Sequence, residues 1–332
     1  MHARTARASD KSVPAKLVLF SYDQRMNLIA GDIGGTKTLL RCMGSAGEIA
    51  VEKRFESGRY ATFDDLLREF VPLCPGPIAA ACFAVAGPVL GGRAEVTNLK
   101  WLMESPKLEK VFAIPHVALI NDFYAIALGV PLLGEGDLLN LQKGARIRTA
   151  PIGILGAGTG LGEAMVAFHR DAWVVIPSEG GHADFAPQDE EQARLFEALH
   201  KKYGHVSWER VISGMGLENI YEFLTGRKED AARIAELANR GDDAGLRTFG
   251  IFVDIYGSEA GNMALRVLAR GGVFLAGGVA AKNRGFFTDG RFITAFLRKG
   301  RFQDRLRDIP VDLIVNEHVG LIGAAARARA QF

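Results

Sequence analysis

The chain has 332 residues, 48% of them hydrophobic, with 39 glycines and a formal net charge of +2. That length accommodates two domains, each with its own core. Arg4, Arg7, Lys11, Lys16 and Arg25 crowd into the first 25 positions; the rest is close to neutral, so composition argues against nucleic acid or an acidic membrane as a partner.

Residues 1–25 contain one short apolar run, Leu17–Phe20. Four residues fall short of a signal-peptide core of about seven to fifteen, and the segment is read as a disordered extension ahead of a domain opening at Met26. From Leu28 to Phe55 the pattern predicts three strands, Leu28–Asp32, Thr38–Met43 and Ile49–Phe55, joined by glycine turns. The first turn, Gly31-Asp32-Ile33-Gly34-Gly35-Thr36, combines paired glycines able to take positive φ, hydroxyls from Thr36 and Thr38, and the Asp32 carboxylate. Such a tip suits a phosphate carrying a magnesium ion, although a plain hairpin also fits.

Helical spacing covers Phe63–Phe70, and Ile78–Ala86 is an apolar strand. Asn98-Leu99-Lys100-Trp101 reads as a loop. A strand at Val117–Ile120 runs into Asn121-Asp122, and Phe123–Leu128 is helical. Asp122 there caps the helix or serves as a general base toward a hydroxyl. Gly134–Ile147 is irregular and reads as a boundary. Ile152–Leu155 then leads into Gly156-Ala157-Gly158-Thr159-Gly160-Leu161-Gly162, and Ala164–Phe168 and Trp173–Ile176 complete a second meander. The chain thus carries the same device twice, about 125 residues apart, and neither tip matches a P-loop or a G-x-G-x-x-G fingerprint.

Glu179-Gly180-Gly181-His182 is a polar loop without metal-ligand spacing; its carboxylate and imidazole suit sugar hydroxyls, or it is only a glycine turn. Glu209 is read as helical, with Ser207 as N-cap. A helical region from about Glu190 to Leu268 is broken near Gly204, Gly214, Gly226 and Gly241. Val273–Leu275 meets Ala276-Gly277-Gly278, a turn that would lay backbone against an adenine or pack a helix on the sheet. Val311–Val315 is the last strand, and Gly320–Ala330 is an amphipathic helix. Alternating strands and helices favour mostly parallel, helix-covered sheets.

Cys42, Cys74 and Cys82 show no C-x-x-C spacing and read as free thiols of a reducing compartment. No apolar run reaches the roughly 18 residues of a membrane span.

Taken in order, Gly31–Thr36, Asn98–Trp101, Asn121-Asp122-Phe123, Gly156–Gly162, Glu179–His182, Gly204–Ser207 with Glu209-Arg210-Val211, Ser213-Gly214 and Ala276–Gly278 resemble the pattern of bacterial glucokinases from about Met26 onward. The resemblance implies an α/β chain with the two-domain actin/hexokinase-like (ribonuclease H-like) fold, mixed sheets flanked by helices and an active site in the interdomain cleft. It implies one domain from 26–132 with 317–332 and another from 133–316. It further implies ATP- and magnesium-dependent phosphorylation of glucose at its 6-hydroxyl by a cytoplasmic homodimer. By this resemblance Asp122 is the base. Asn121, Asp122, Glu179, His182 and Glu209 hold glucose. Gly31, Asp32, Ile33, Gly34, Gly35, Thr36, Gly158, Thr159, Gly160, Gly277 and Gly278 hold ATP, and Asp32 holds magnesium through water. Residues 1–25 lie outside the family pattern, and the zinc-binding cysteine cluster of the related repressor and kinase group is absent from the sequence. A kinase of another hexose and a non-catalytic sugar sensor of the same fold are the competing readings.

Overall fold

A computed structural model describes residues 26–44, 46–96 and 99–331; the expectations for residues 1–25 and for Asn98 lie outside it. In chain order the elements are β1 (Asn27–Ile33), β2 (Lys37–Gly44), β3 (Ile49–Glu56), α1 (Phe63–Phe70), β4 (Ile78–Val85), β5 (Val89–Leu90), β6 (Arg93–Glu95), β7 (Leu102–Glu104), α2 (Ser105–Phe112), β8 (His116–Asn121) and α3 (Asp122–Gly129). There follow β9 (Leu138–Gln142), β10 (Ile152–Ala157), β11 (Leu161–His169), β12 (Ala172–Ser178), α4 (Glu190–Tyr203), α5 (Gly214–Thr225), α6 (Ala231–Asn239) and α7 (Asp243–Val267). The chain ends with β13 (Gly272–Ala276), α8 (Gly278–Lys282), α9 (Arg291–Leu297), α10 (Gln303–Arg307), β14 (Val311–Ile314) and α11 (Val319–Arg329).

Two sheets carry one design. The first runs β3-β2-β1-β4-β8 and the second β12-β11-β10-β13-β14-β9. Each opens with a three-stranded antiparallel meander and continues with parallel strands, β1/β4/β8 and β10/β13/β14. The middle parallel strand of the first sheet, β4, is apolar along its whole length because both its faces are covered; every residue of Ile78–Val85 is buried. The internal echo in the sequence is therefore a repeated topology.

Each sheet has its own core. Phe55, Phe63, Phe70, Phe83 and Trp101 pack on the first, beneath α1. Trp208, Phe249, Phe252, Tyr256, Phe287, Phe292 and Phe296 pack on the second, around α7. Helices α3 and α11 join the two: Ala125, Leu321 and Ala324 lie with Ala30 and Cys82, while Ala127 and Val130 lie with Ile154, Val166 and Phe274. A Cβ on Gly323 would fall 1.8 Å from the Ala125 carbonyl oxygen, and one on Gly129 2.3 Å from that of Val319. The two helix backbones touch, and only glycine allows it. Consequently α11 is buried on two sides, against α3 and against β1 and β4, so the amphipathic helix expected there lacks a broad solvent face.

Three further departures have local causes. The expected boundary at 134–147 contains β9, which pairs antiparallel with β14 at the sheet edge; its alternation is too short to stand out. The three-stranded sheet β5-β6-β7 leaves no periodic pattern in the sequence, because its strands are two or three residues long. Helix α2, beside it, starts without a side-chain cap to announce it.

Candidate active site

The first tip closes with the Gly34 N–H donating to the Lys37 carbonyl at 3.0 Å. Neither the Gly35 nor the Thr36 N–H has a partner among the described residues, leaving two donors at an exposed turn. Gly34 does not use positive φ; nor do Gly158, Gly160 and Gly162 at the second tip. The glycines serve by leaving room. Thr38 is not at the tip: it is fully buried, bonded to Ser57 Oγ at 3.0 Å, and Ser57 in turn donates to the Gly34 carbonyl at 2.8 Å. Ser57 thus braces the tip, and nothing in its local sequence announces this.

At the second tip the Gly158 N–H donates to Gly160 at 2.8 Å, and the Gly158 carbonyl accepts from Gly214, the first residue of α5, at 2.8 Å. Thr159 is exposed at the apex. Gly277 has φ of +87°, and a Cβ there would meet the Ala157 carbonyl oxygen at 2.3 Å, so close packing on β10 already requires this glycine. Gly278, by contrast, opens α8 with nothing nearer than the end of Lys282.

Asn121 and Asp122 sit where β8 becomes α3. Asn121 is the cap: its Oδ1 accepts from the Phe123 and Tyr124 N–H groups at 2.9 and 3.1 Å. Its Nδ2 donates to the Gly87 carbonyl at 3.3 Å and to Asp122 Oδ1 at 2.9 Å. Asp122 Oδ1 also accepts from the Phe123 N–H at 2.8 Å, and Oδ2 takes no hydrogen bond from another described residue. The capping alternative therefore falls to Asn121, and one oxygen of Asp122 stays available. In the parallel register Ala84 of β4 stands opposite both Asp32 of β1 and Ile120 of β8, so Asp32 and Asp122 lie at the same end of the sheet, on the two strands that flank β4, where α/β folds place their ligands.

The electrostatics follow. Burial, with the Asp122 charge beside it, pushes the Asp32 carboxyl up to about 6, and His318 opposes the shift. Burial also raises Asp122, against the Phe123 N–H and the Asn121 amide, which favour its anion. His318, at the start of α11, is a further candidate that the sequence reading left out; only the fold brings it from the far end of the chain to Asp32.

Glu179, His182 and Glu209 gather beside the second sheet. His182 lies 3.9 Å from Glu179 through Nε2 and 3.9 Å from Glu209 through Nδ1. Glu179 is 93% exposed and Glu209 23%. Glu209 Oε2 accepts from the Leu161 N–H at 3.0 Å, fastening it to the start of β11. It belongs to a single 3-10 turn, Trp208–Arg210, rather than an α-helix, and Ser207 precedes that turn without a side-chain cap. The Asp122 region and this cluster meet through Phe123. Its ring fills the spaces over Gly156 and Gly162, where a Cβ would lie 2.4 and 2.3 Å away.

Asp32, with the Asp122 charge beside it, is the carboxylate here whose chemistry suits a hard cation. No described group of three or more His, Cys, Asp or Glu residues forms a protein-only metal cage.

The family model for Glucokinase matches residues 29–331. The chain is 39% identical over 333 residues to the glucokinase of Nostoc sp. (strain PCC 7120), an alignment covering 90% of this chain and 97% of that one. It superposes on a glucokinase from an Antarctic psychrotroph with TM-score 0.82 at 30% identity, covering 92% and 99% of the two chains. It superposes on a Streptomyces griseus ROK family glucokinase, solved with glucose and AMPPNP, with TM-score 0.61 at 21% identity, covering 92% and 99%. The fold is the two-domain actin-like fold of these sugar kinases, and the chain belongs to the glucokinase family.

Proposed function

We propose that the chain transfers the terminal phosphoryl group of ATP to the 6-hydroxyl of D-glucose, giving glucose 6-phosphate and ADP. The observation that carries the site assignment is Asp122: a partly buried carboxylate at the first turn of a helix, one oxygen free, its neighbour Asn121 holding the other. Glucose docks on Glu179, His182 and Glu209, with Asn121 orienting Asp122. Asp122 accepts the 6-hydroxyl proton as the oxygen attacks phosphorus. The N–H groups of Gly35 and Thr36, and the second tip around Thr159, receive phosphate oxygens. Adenine lies over Gly278. Magnesium, when bound beside Asp32, neutralises charge on the transferring group.

Residues 26–132 with 317–332 form one domain and 133–316 the other, as the two separate cores suggest. Closure between them excludes water, which would otherwise accept the phosphoryl group. The chain works as a cytoplasmic homodimer, a reading supported by its family resemblance, by three free cysteines and by the absence, among the described residues, of a helix able to cross a membrane.

The test is ADP release from Mg-ATP with and without glucose, then with mannose, fructose and N-acetylglucosamine. Strong turnover confined to glucose supports the proposal. Equal rates across the sugars defeat glucose specificity, and hydrolysis indifferent to sugar defeats the kinase.

A further inference from the structure

Strand β11 begins at the second phosphate tip and also backs the sugar loop. A Cβ on Gly181 would fall 2.3 Å from the Leu161 carbonyl oxygen, so the loop rests directly on the strand. Two residues along, Glu163 is 2% exposed, and neither of its carboxyl oxygens has a hydrogen-bond partner among the described residues. It stands opposite Ser178, the residue that leads into Glu179. A Cβ on Gly180 would lie 2.1 Å from Glu163 Oε2. The carboxyl is thus pressed against the Gly180 α-carbon, in the middle of the loop.

Helix α7 closes the other side. Glu259, fully buried, pairs with Arg266 and accepts from Asn262 Nδ2 at 2.8 Å. Arg266 Nη1 reaches Glu163 Oε2 at 3.7 Å. Tyr256 lies on the same helix, and Lys299 donates to Ser258 Oγ at 3.1 Å. From the loop side the charged groups are Glu179 and His182. One guanidinium therefore serves two buried carboxyls, and its close partner is Glu259. A second uncompensated anion there would be costly, so Glu163 is the member held neutral.

The geometry points to Glu163 as a positioning residue for sugar binding: its buried carboxyl, wedged between the Glu259–Arg266 pair and Gly180, sets the seat of the Glu179–His182 loop. The inference rests on that loop being the glucose site. Burial and the Glu259 charge push the Glu163 carboxyl up to about 8. Below that pH the proton stays on and the loop is seated. Above it, a second anion beside Glu259 draws in water and Arg266, and the loop shifts. Burial pushes Lys299 down to about 8 as well, so the test must separate the two.

The experiment is glucose binding by intrinsic fluorescence, with Trp208 next to Glu209 as reporter, between pH 6.5 and 9.5, with the KM for ATP measured in parallel. Wild-type binding weakens about three- to tenfold from pH 7 to pH 9, the size expected for one proton linked to binding. Glu163→Gln keeps the shape and cannot ionise, so its glucose affinity stays level across that range. Glu163→Ala loses affinity about tenfold at both ends. In both variants the KM for ATP moves less than about twofold. Glu259→Gln removes the neighbouring charge and moves the wild-type midpoint down by a pH unit or more, a result that stands even if Glu163→Gln fails to fold. The proposal is overturned if Glu163→Gln weakens with pH as the wild type does, if the wild type itself is level, or if Glu259→Gln leaves the midpoint in place. A wild type that binds no glucose at any pH overturns the glucose-site reading itself, an outcome distinct from these.

Discussion

Asp32 lies where burial and the Asp122 charge oppose its ionisation, and its carboxyl is raised from the ordinary 3.8 to about 6. Between those values the folded chain binds more protons than the unfolded one. Stability therefore falls as pH rises through that window, and the full penalty persists at neutral pH. A shift of roughly two units at 1.36 kcal/mol each gives about 3 kcal/mol. Asp32 is partly exposed, and solvent screening reduces the figure to about 1–2 kcal/mol. Asp32→Asn removes the charge and keeps the shape. With an unfolding entropy of roughly 0.7 kcal/mol/K for a chain of this length, Tm should rise by about 2 °C at pH 7.5. Below about pH 4, where the wild-type carboxyl is also neutral, the difference should vanish. Thermal melts followed by circular dichroism at pH 7.5 and 4 measure both quantities. The same variant should lose at least about a hundredfold in turnover if Asp32 holds the metal against phosphate. A variant no more stable than wild type at pH 7.5, or one equally stabilised at pH 4, refutes the claim that the site stores an electrostatic penalty at Asp32.

Other substitutions probe the remaining parts of the cleft. Asp122→Asn should cut kcat by about 10²–10⁴-fold with a smaller change in glucose affinity; near-normal turnover in a coupled assay removes Asp122 from the role of base. The rate of the wild type should fall as pH drops through about 6, since Asp32 is protonated there; a pH–rate profile level down to pH 5 contradicts this. Glu209→Gln should raise the KM for glucose about tenfold or more, the loss expected for one charge-assisted hydrogen bond, while the KM for ATP changes little. Gly162→Ala puts a Cβ 2.3 Å from the Phe123 ring and displaces the neighbouring Asp122. A fall in kcat of about 10–100-fold is expected, and an unchanged kcat would show that Phe123 does not position the base.

How far the sequence alone reached depended on the length scale of each feature. The strands of both meanders, helix α1 and the order of the two tips follow from local periodicity and turn chemistry, which operate within a few residues. The candidate motifs could be named because runs such as Asn121-Asp122 and Glu179–His182 are short and contiguous in the sequence. Roles that depend on contacts between distant segments could not be read this way. Thr38 looked like a tip hydroxyl, but the strand's pleat turns it into the core toward Ser57. The cap of α3 fell to Asn121 because the helix starts one residue earlier than its apolar run. His318 reaches Asp32 only because α11 returns to lie against β1. Glu163 and Glu259, 96 positions apart, become one buried pair only when α7 packs behind β11. Local patterning determines which segments are strands and helices; the desolvation and cross-chain charge that set the acids of the cleft arise only when those segments are brought together.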